Sequence, residues 1–275
     1  MAVKLSILIP VFNEEQNLPD CLASIKDMAD EILVVDSFST DKTVEIATAA
    51  GCKVLQHEYV NSATQKNWSI PRCEHEWVFI IDADERMTPE LRAEIKQVLS
   101  EGPKYEGYYV VRRNYFLGGE IKHGGWETND VQRLFKRDLG RYDGREVHAD
   151  VKVQGKSGHL KAKLDHITLP CTVNGLNRYF QRFNRYTTQA AERYHREGRK
   201  PRLISFFLHP GWEFFKMYIL KLGFLDGIPG LAVCAFCAFT RFVRYMKLYV
   251  RIKSGMPKPE AYDAGTSMAR DIDGA

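Results

Sequence analysis

Two carboxylates one residue apart follow a short apolar run in the segment WVFIIDADER, residues 77–86. The run from Trp77 to Ile81 is long enough for a strand that is buried on both faces. Because unpaired carboxylates are costly to bury, we expect Asp82 and Asp84 to emerge into a cleft at the end of this strand. Carboxylates at positions i and i+2 can share one hard divalent cation, which also binds phosphate oxygens. The spacing is consistent with such a cation site, and the alternative is a solvated acidic turn.

Strands and helices must alternate around this segment to position it. Apolar runs predict strands at residues 4–9, 32–35, 53–57 and 77–81. The segments between them carry apolar residues at helical spacing, for example Leu18, Cys21, Leu22 and Ile25. This alternation predicts an α/β fold, a mainly parallel sheet with helices on both faces. Such sheets bind ligands beyond the carboxyl ends of their strands, so Asp36 and Asp82, which both follow strands, are expected to converge on one crevice.

Several other classes of protein are disfavoured. No GxGxxG follows the first strand and no GxxxxGK[ST] occurs, which argues against a dinucleotide fold and a P-loop. The six cysteines show no disulfide-like framework and indicate a reducing compartment. Cys234 and Cys237 form a CxxC within an apolar segment, where packed thiols are the expected state. The net charge of +4 is mild, and no nucleic-acid partner is predicted.

After Gly107 the pattern changes to longer strands and loops. Strands are predicted at residues 108–115 and 131–136, joined by the glycine-rich segment LGGEIKHGGWE, for which a long turn is the default interpretation. Residues 143–150, DGREVHAD, hold a dense set of titratable groups. A further strand at residues 160–167 ends with the pair Asp165 and His166.

From Val173 onward the chain is predicted to be helical and rich in arginine. Residues 203–240 are apolar but interrupted, so no continuous run of about 18 residues predicts a plain transmembrane helix. The next segment is predicted to be a helix that carries apolar residues and a row of cations on one side. These cations are Arg241, Arg244, Lys247 and Arg251. This basic stripe predicts a helix that lies in an anionic bilayer surface. The alternative is a helix that docks on the preceding α/β domain.

Four ordered motifs, SILIPVFNEEQNL, EILVVDSFSTDKT, WVFIIDADE and RLFKR, closely resemble the family 2 glycosyltransferases of the GT-A fold. The resemblance covers roughly residues 4–170. Two later motifs, NRYTTQAA and GFLDGIPGL, resemble the branch that contains lipopolysaccharide-core glucosyltransferases. This predicts a GT-A nucleotide-sugar-binding and catalytic domain at 1–170, a helical membrane- or acceptor-associating region at 171–255 and a flexible tail at 256–275.

The resemblance also implies roles for individual residues. A nucleotide-sugar pocket would be lined by Pro10, Asn13, Glu14 and Asp36, with Asp36 on the base or ribose. Lys66 would add a positive contact, or else be a solvated helix lysine. Asp82 and Asp84 resemble the family's DxD, which holds Mg²⁺ or Mn²⁺ on the diphosphate. His166 is a further candidate to reach the metal or the phosphates.

Inversion at the anomeric carbon requires a base that deprotonates the acceptor hydroxyl. Relatives often carry a His-Glu pair where this chain has His148 and Ala149. Asp150 is therefore the first candidate for the base and Glu146 the second. In an extended segment these two carboxylates share a face with His148, which could orient a carboxylate or bind phosphate.

These observations predict an inverting, metal-assisted glycosyltransferase. The donor would be a UDP-sugar, with UDP-glucose favoured, and the acceptor a lipid-linked or lipopolysaccharide-core saccharide. The enzyme would be peripheral or monotopic on the cytoplasmic face of the inner membrane, in contact with an anionic surface. The alternative is a non-catalytic sugar-nucleotide or lipid-binding protein on the same scaffold. The missing glutamate at position 149 favours that alternative, and the intact DxD argues against it.

Overall fold

The computed structural model describes residues 3–143 and 150–258, which divide between two compact units. The first unit contains the chain up to Arg113 together with Thr128–Ile167, and the second contains Asn114–Glu127 together with the chain from Thr168 onward. One junction between the units follows Ile167, and the domain boundary at residue 170 stays a prediction. The glycine-rich segment, by contrast, belongs to the second unit, which was not predicted from its sequence.

Strands and helices alternate in the first part of the chain, as its periodicity predicts. The elements in order are β1 (Leu5–Val11), α1 (Leu18–Ser24), β2 (Glu31–Asp36), α2 (Thr43–Ala49), β3 (Lys53–Gln56), α3 (Ser62–Ser69), β4 (Trp77–Ile80), β5 (Glu85–Met87), α4 (Pro89–Glu101), β6 (Gly107–Phe116), β7 (Gly119–Glu120), β8 (Thr128–Lys136), β9 (Gly140–Tyr142), β10 (Val151–Val153) and β11 (Ser157–Leu169). The short strand β7 lies in the second unit.

The main sheet has the strand order β3-β2-β1-β4-β8-β6-β11-β5. The first four of these strands are parallel to one another. The remainder is antiparallel in character, since β8 runs against β4 and β6, and β5 runs against β11. The predicted α/β class with a mixed sheet is therefore confirmed, and the four parallel strands bring their carboxyl ends to one edge.

Side chains that alternate along β1 pack into two separate cores. Ile7 packs with Leu18 of α1 and Leu91 of α4, whereas its neighbour Leu8 packs with Ile70, which follows α3. Because successive side chains of a strand point to opposite faces, these two clusters lie on the two faces of the sheet. Helices therefore cover both faces, as predicted.

The second unit consists mainly of helices: α5 (Val173–Arg196), α6 (Leu203–Phe215), a π-helical turn (Lys216–Leu220), a 3-10 turn (Gly223–Asp226) and α7 (Gly227–Lys253). Helix α7 packs against both α5 and α6. The segment Gly223–Lys253 contains an 18-residue window with a mean hydropathy of 1.6 and is, by length and composition, able to cross a membrane. The polar interruptions in this part of the sequence disfavour a membrane-spanning helix. Core helices of soluble proteins can be equally long and apolar. Burial raises the pKa of Cys234 to about 11 and that of Cys237 to about 12, as expected for packed thiols.

The basic stripe of α7 makes contacts inside the second unit. Arg241 Nη2 lies 2.8 Å from a carboxylate oxygen of Glu213 on α6. Lys247 Nζ donates to the backbone oxygen of Asn184 on α5 at 2.7 Å, and the pKa of Lys247 is lowered by its partial burial. Arg251 Nη1 lies 3.1 Å from a carboxylate oxygen of Glu192 on α5. Three of the four cations thus have partners on helices α5 and α6, and contact of the basic stripe with a bilayer stays a prediction.

Candidate active site

Hydrogen bonds tie the segment after β1 to the segment after β2. Asp36, at the end of β2, is fully buried, and its Oδ2 accepts from the backbone N–H of Ser39 and from Gln56 Nε2, both at 3.0 Å. The backbone N–H of Asn13 donates to Ser39 Oγ at 2.8 Å, and Asn13 Oδ1 accepts from the N–H of Thr40 at 2.8 Å. Asn13 has a φ of +54°, a left-handed conformation that asparagine tolerates better than most residues. These bonds fix two loops beside each other at the edge of the sheet.

The other residues predicted to line a nucleotide pocket lie in the same region. Pro10 is in β1, opposite Val35 of β2. The backbone N–H of Glu14 donates to Thr43 Oγ1 at 2.7 Å, and its side chain accepts from Asn17 Nδ2 at 2.7 Å. In this structure, the side chain of Asp36 organises the loop and is not accessible. Its contact with a base or ribose stays a prediction, as do the contacts of Pro10, Asn13 and Glu14.

Asp82 lies between two protein cations. Its Oδ1 is 2.7 Å from Lys66 Nζ of α3, and its Oδ2 is 2.7 Å from Arg133 Nη2 of β8. Glu85 completes the cluster, because its Oε1 is 2.5 Å from Arg133 Nη2 and its Oε2 accepts from the backbone N–H of Asp82 at 2.9 Å. Arg112 Nη1 also approaches Glu85 Oε1, at 3.3 Å. Three cations therefore accompany two carboxylates at the end of β4.

The charges of this cluster stabilise one another. Burial by itself would raise the pKa of Asp82, but the nearby Lys66 and Arg133 outweigh it and hold that pKa well below its usual range. Burial likewise opposes the charge of Lys66, and the carboxylate of Asp82 outweighs it and raises the pKa of Lys66. Lys66 is 6% exposed, so it is not the solvated helix lysine that was the alternative. These opposing shifts favour the charged forms of Asp82 and Lys66.

Asp84 and His166 come together through strand pairing. In the antiparallel ladder between β5 and β11, His166 lies opposite Glu85, and the N–H of Ile167 donates to the backbone oxygen of Asp84 at 2.8 Å. This register places His166 Nε2 3.6 Å from Asp84 Oδ2, with each side chain mostly buried. The distance is too long for a hydrogen bond, but donor atoms this close can share one cation.

The three predicted metal ligands do not form one cluster in this structure. Among the described residues, no group of three or more His, Cys, Asp or Glu side chains could hold a metal ion. Asp84 and His166 make a pair, whereas both carboxylate oxygens of Asp82 face Lys66 and Arg133. An Asp84–His166 pair fits Mg²⁺ or Mn²⁺ when phosphate oxygens and water complete the coordination. Direct metal binding by Asp82 stays a prediction.

Of the candidates for the base, the structure describes Asp150 alone. Glu146 and His148 lie outside the described residues. Asp150 is exposed and immediately precedes β10, and its backbone oxygen accepts from the N–H of Asp143 at 3.0 Å. The ranking of Asp150 above Glu146 as the catalytic base therefore stays a prediction.

Three charged residues of the site, Arg133, Glu85 and Arg112, were not among those predicted from sequence. Arg133 lies in the motif RLFKR of β8, next to the buried Leu134 and Phe135, and is 4% exposed. Arginine is rarely buried without a partner, so an arginine directly before two apolar strand residues was a weak signal of a buried ion pair. The sequence did not reveal which residue pairs with Arg133. That pairing depends on the order of strands in the sheet, which places β8 beside β4.

Fold and site together define an α/β protein with a buried cluster of charged side chains where the parallel strands end. The model of the glycosyl transferase family 2 matches residues 6–154, which is more than half of the chain. The chain belongs to this family, and it is a glycosyltransferase.

Relatives extend this similarity to the rest of the chain. The lipopolysaccharide core biosynthesis glycosyltransferase LpsC of Rhizobium meliloti (strain 1021) is 29% identical over 255 residues, which cover 90% of this chain and 92% of LpsC. A glycosyltransferase of Rickettsia bellii (strain RML369-C) is 27% identical over 249 residues, covering 83% of this chain and 80% of the relative. Among solved structures, S. aureus TarS 1–349 in complex with UDP aligns over 95% of both chains, with a TM-score of 0.46 and 15% identity. The similarity to LpsC thus extends over most of the length of both chains.

Proposed function

We propose that this enzyme transfers a sugar from a UDP-sugar, with UDP-glucose favoured, to a lipid-linked or lipopolysaccharide-core saccharide. The observation that carries the proposal is the cluster of Asp82, Lys66 and Arg133 together with the Asp84–His166 pair at the end of β4. The similarity to LpsC supports the class of acceptor. The resemblance of the motifs to the family supports the nucleotide-sugar donor.

The reaction breaks the bond between the anomeric carbon and the diphosphate oxygen, so negative charge grows on the leaving nucleoside diphosphate. Lys66 and Arg133 keep Asp82 neutralised, which lowers its repulsion of that charge. Asp84 and His166 would hold Mg²⁺ or Mn²⁺, which supplies positive charge to the diphosphate when bound. The chain's own residues thus orient the donor and limit the electrostatic cost of its departure.

The new bond forms between the anomeric carbon and an acceptor hydroxyl, whose proton needs a base. Asp150 is the proposed base and Glu146 the second candidate, with His148 as an orienting residue. Asp150 is exposed, so an acceptor can reach it. Attack opposite the leaving group gives inversion of configuration.

A lipid-linked acceptor would place the enzyme at a membrane, as a peripheral or monotopic protein on the cytoplasmic face of the inner membrane. The second unit supports this location, because many of its large apolar side chains are exposed. The reducing compartment indicated by the cysteines is compatible with that face.

A second candidate is a non-catalytic sugar-nucleotide or lipid-binding protein, favoured by Ala149 at a position where the family resemblance implies a glutamate. The test is a screen of UDP release from several UDP-sugars, with membrane lipid extracts as acceptors, with and without Mn²⁺. Calorimetry measures UDP binding in parallel. Acceptor-dependent release supports transfer, whereas UDP binding without release from any donor supports the binding protein.

A further inference from the structure

One side of helix α6 consists of exposed apolar side chains. These are Leu203, Ile204, Phe207, Leu208, Trp212 and Phe215, and we call them the α6 apolar face. Their spacing of three and four residues places them on one side of the helix. Leu203 is 80% exposed and Phe207 is 70% exposed, values that apolar side chains rarely reach in such a group.

The opposite side of α6 packs on α7 and carries the charge. Phe206 makes ring contacts with Phe242 and Tyr245. Glu213 is the one residue of α6 with a formal charge at neutral pH; its side chain is 13% exposed and pairs with Arg241. A helix at a water-exposed surface shows the reverse arrangement, with its apolar side inward and its charges outward. The α6 apolar face is therefore adapted to an apolar environment.

Cations flank this face at both ends. Lys200 and Arg202 precede α6 and are exposed, and Lys221 follows the π-helical turn and is also exposed. In the segment after α6, further apolar side chains are exposed, including Leu225 at 57% and Ile228 at 77%. An apolar surface between cations matches the boundary between acyl chains and anionic headgroups.

We propose that the α6 apolar face lies in the surface of an anionic lipid bilayer, with Lys200, Arg202 and Lys221 on the headgroups. Helix α6 has 13 residues and is about 20 Å long, which is too short to cross a hydrocarbon core of about 30 Å. It therefore lies along the surface. This inference adds a membrane-contact surface to the proposed function. It rests on that function, because a lipid-linked acceptor requires an enzyme at the bilayer. It assigns the lipid contact to α6 and not to the basic stripe of α7.

Flotation of the full chain with vesicles tests this assignment. Wild type should float with vesicles of phosphatidylglycerol and phosphatidylethanolamine, and less with phosphatidylcholine alone. The double variant Phe207→Glu, Leu208→Glu should lose at least about tenfold in partitioning, because two charges would enter the acyl region. The double variant Val60→Glu, Tyr105→Glu is the matched control, since both residues are exposed apolar side chains of the first unit. It should float as wild type does.

Two further variants separate the cations. The variant Lys200→Gln, Arg202→Gln should bind anionic vesicles more weakly, and that binding should no longer depend on salt. Its binding to neutral vesicles should change little. Arg251→Gln should float normally, because Arg251 pairs with Glu192. Circular dichroism checks that each variant is folded. If the double glutamate variant is unfolded, the pair Phe207→Ser, Leu208→Ser takes its place, with a smaller loss expected.

Normal flotation of a folded α6 variant, or a wild type that does not bind anionic vesicles, would overturn the proposal. Sedimentation velocity examines a second copy of the chain as the occupant. A wild-type dimer that ignores vesicles and becomes monomeric in the α6 variant would assign the face to dimerisation. Donor turnover is measured separately in detergent-free solution. Vesicle binding without any turnover would leave this inference intact and contradict the proposed function.

Discussion

Asp82 and Lys66 form an ion pair, with 2.7 Å between Oδ1 and Nζ, at the end of the central parallel strand β4. Arg133 binds the other oxygen of the same carboxylate. The first acid of the DxD sequence is therefore neutralised by the protein itself. In the proposed reaction, a diphosphate would then approach Asp84 without meeting two uncompensated carboxylates.

Removal of Lys66 should destabilise the first unit. In Lys66→Met, Asp82 keeps only Arg133 as a close cation, and we expect the free energy of unfolding to fall by about 1–3 kcal/mol. Urea denaturation measures this value. Lys136→Gln is the control, because the Lys136–Glu76 pair is largely exposed and should contribute less than about 1 kcal/mol. Equal effects of the two substitutions would contradict a special role for Lys66.

Stability should depend on pH through Asp82. Its pKa in the folded state is held well below the unfolded value of about 3.9, so its stabilising contribution is complete above about pH 5. That contribution is lost as the pH falls through the lower folded pKa. The difference in unfolding free energy between wild type and Asp82→Asn should therefore shrink as urea denaturation is repeated from pH 5 downward.

Asp20→Asn provides the matched control for this titration. Asp20 is highly exposed and lies 3.5 Å from Arg86, so its substitution should change stability little at any of these pH values. A difference for Asp82→Asn that grows towards low pH would show that the sign of the linkage is wrong.

Metal affinity should depend on Asp84 and His166. In the presence of UDP, Asp84→Asn and His166→Ala should each weaken Mn²⁺ binding about tenfold or more, since either change removes one donor atom of the pair. Calorimetry measures the affinity directly. His159→Ala is the control, because His159 lies in the same strand β11 and is exposed. EDTA should abolish turnover, and full activity in EDTA would refute the metal role.

The identity of the base can be decided with isosteric substitutions. Asp150→Asn keeps the shape of the side chain and removes its basicity, so kcat should fall about 100-fold or more. UDP affinity should be unchanged, because the base acts on the acceptor. An active Asp150→Asn enzyme together with an inactive Glu146→Gln enzyme would assign the base to Glu146.

The amino-acid sequence by itself determined the α/β class and the family. Apolar runs and helical spacing are local patterns, and they fix which face of each element is buried whatever its neighbours are. Local sequence alone predicts Asp36, Asp82 and Asp84 at strand ends, where they are found. Asp36 nevertheless stays fully buried, because Ser39 and Gln56 donate hydrogen bonds to its carboxylate. The four ordered motifs identified the family, because each belongs to one short segment.

Only the tertiary structure decided which charged side chains meet. Arg133 is 51 residues from Asp82 and reaches it because β8 pairs with β4, and His166 reaches Asp84 because of the register between β11 and β5. The basic stripe of α7 looks the same in sequence whether it faces lipid or a neighbouring helix. The packing of α7 on α5 and α6 supplied Glu192 and Glu213 as partners and left the apolar side of α6 exposed. Strand order, register and helix packing depend on contacts across the whole chain, which local patterns do not encode.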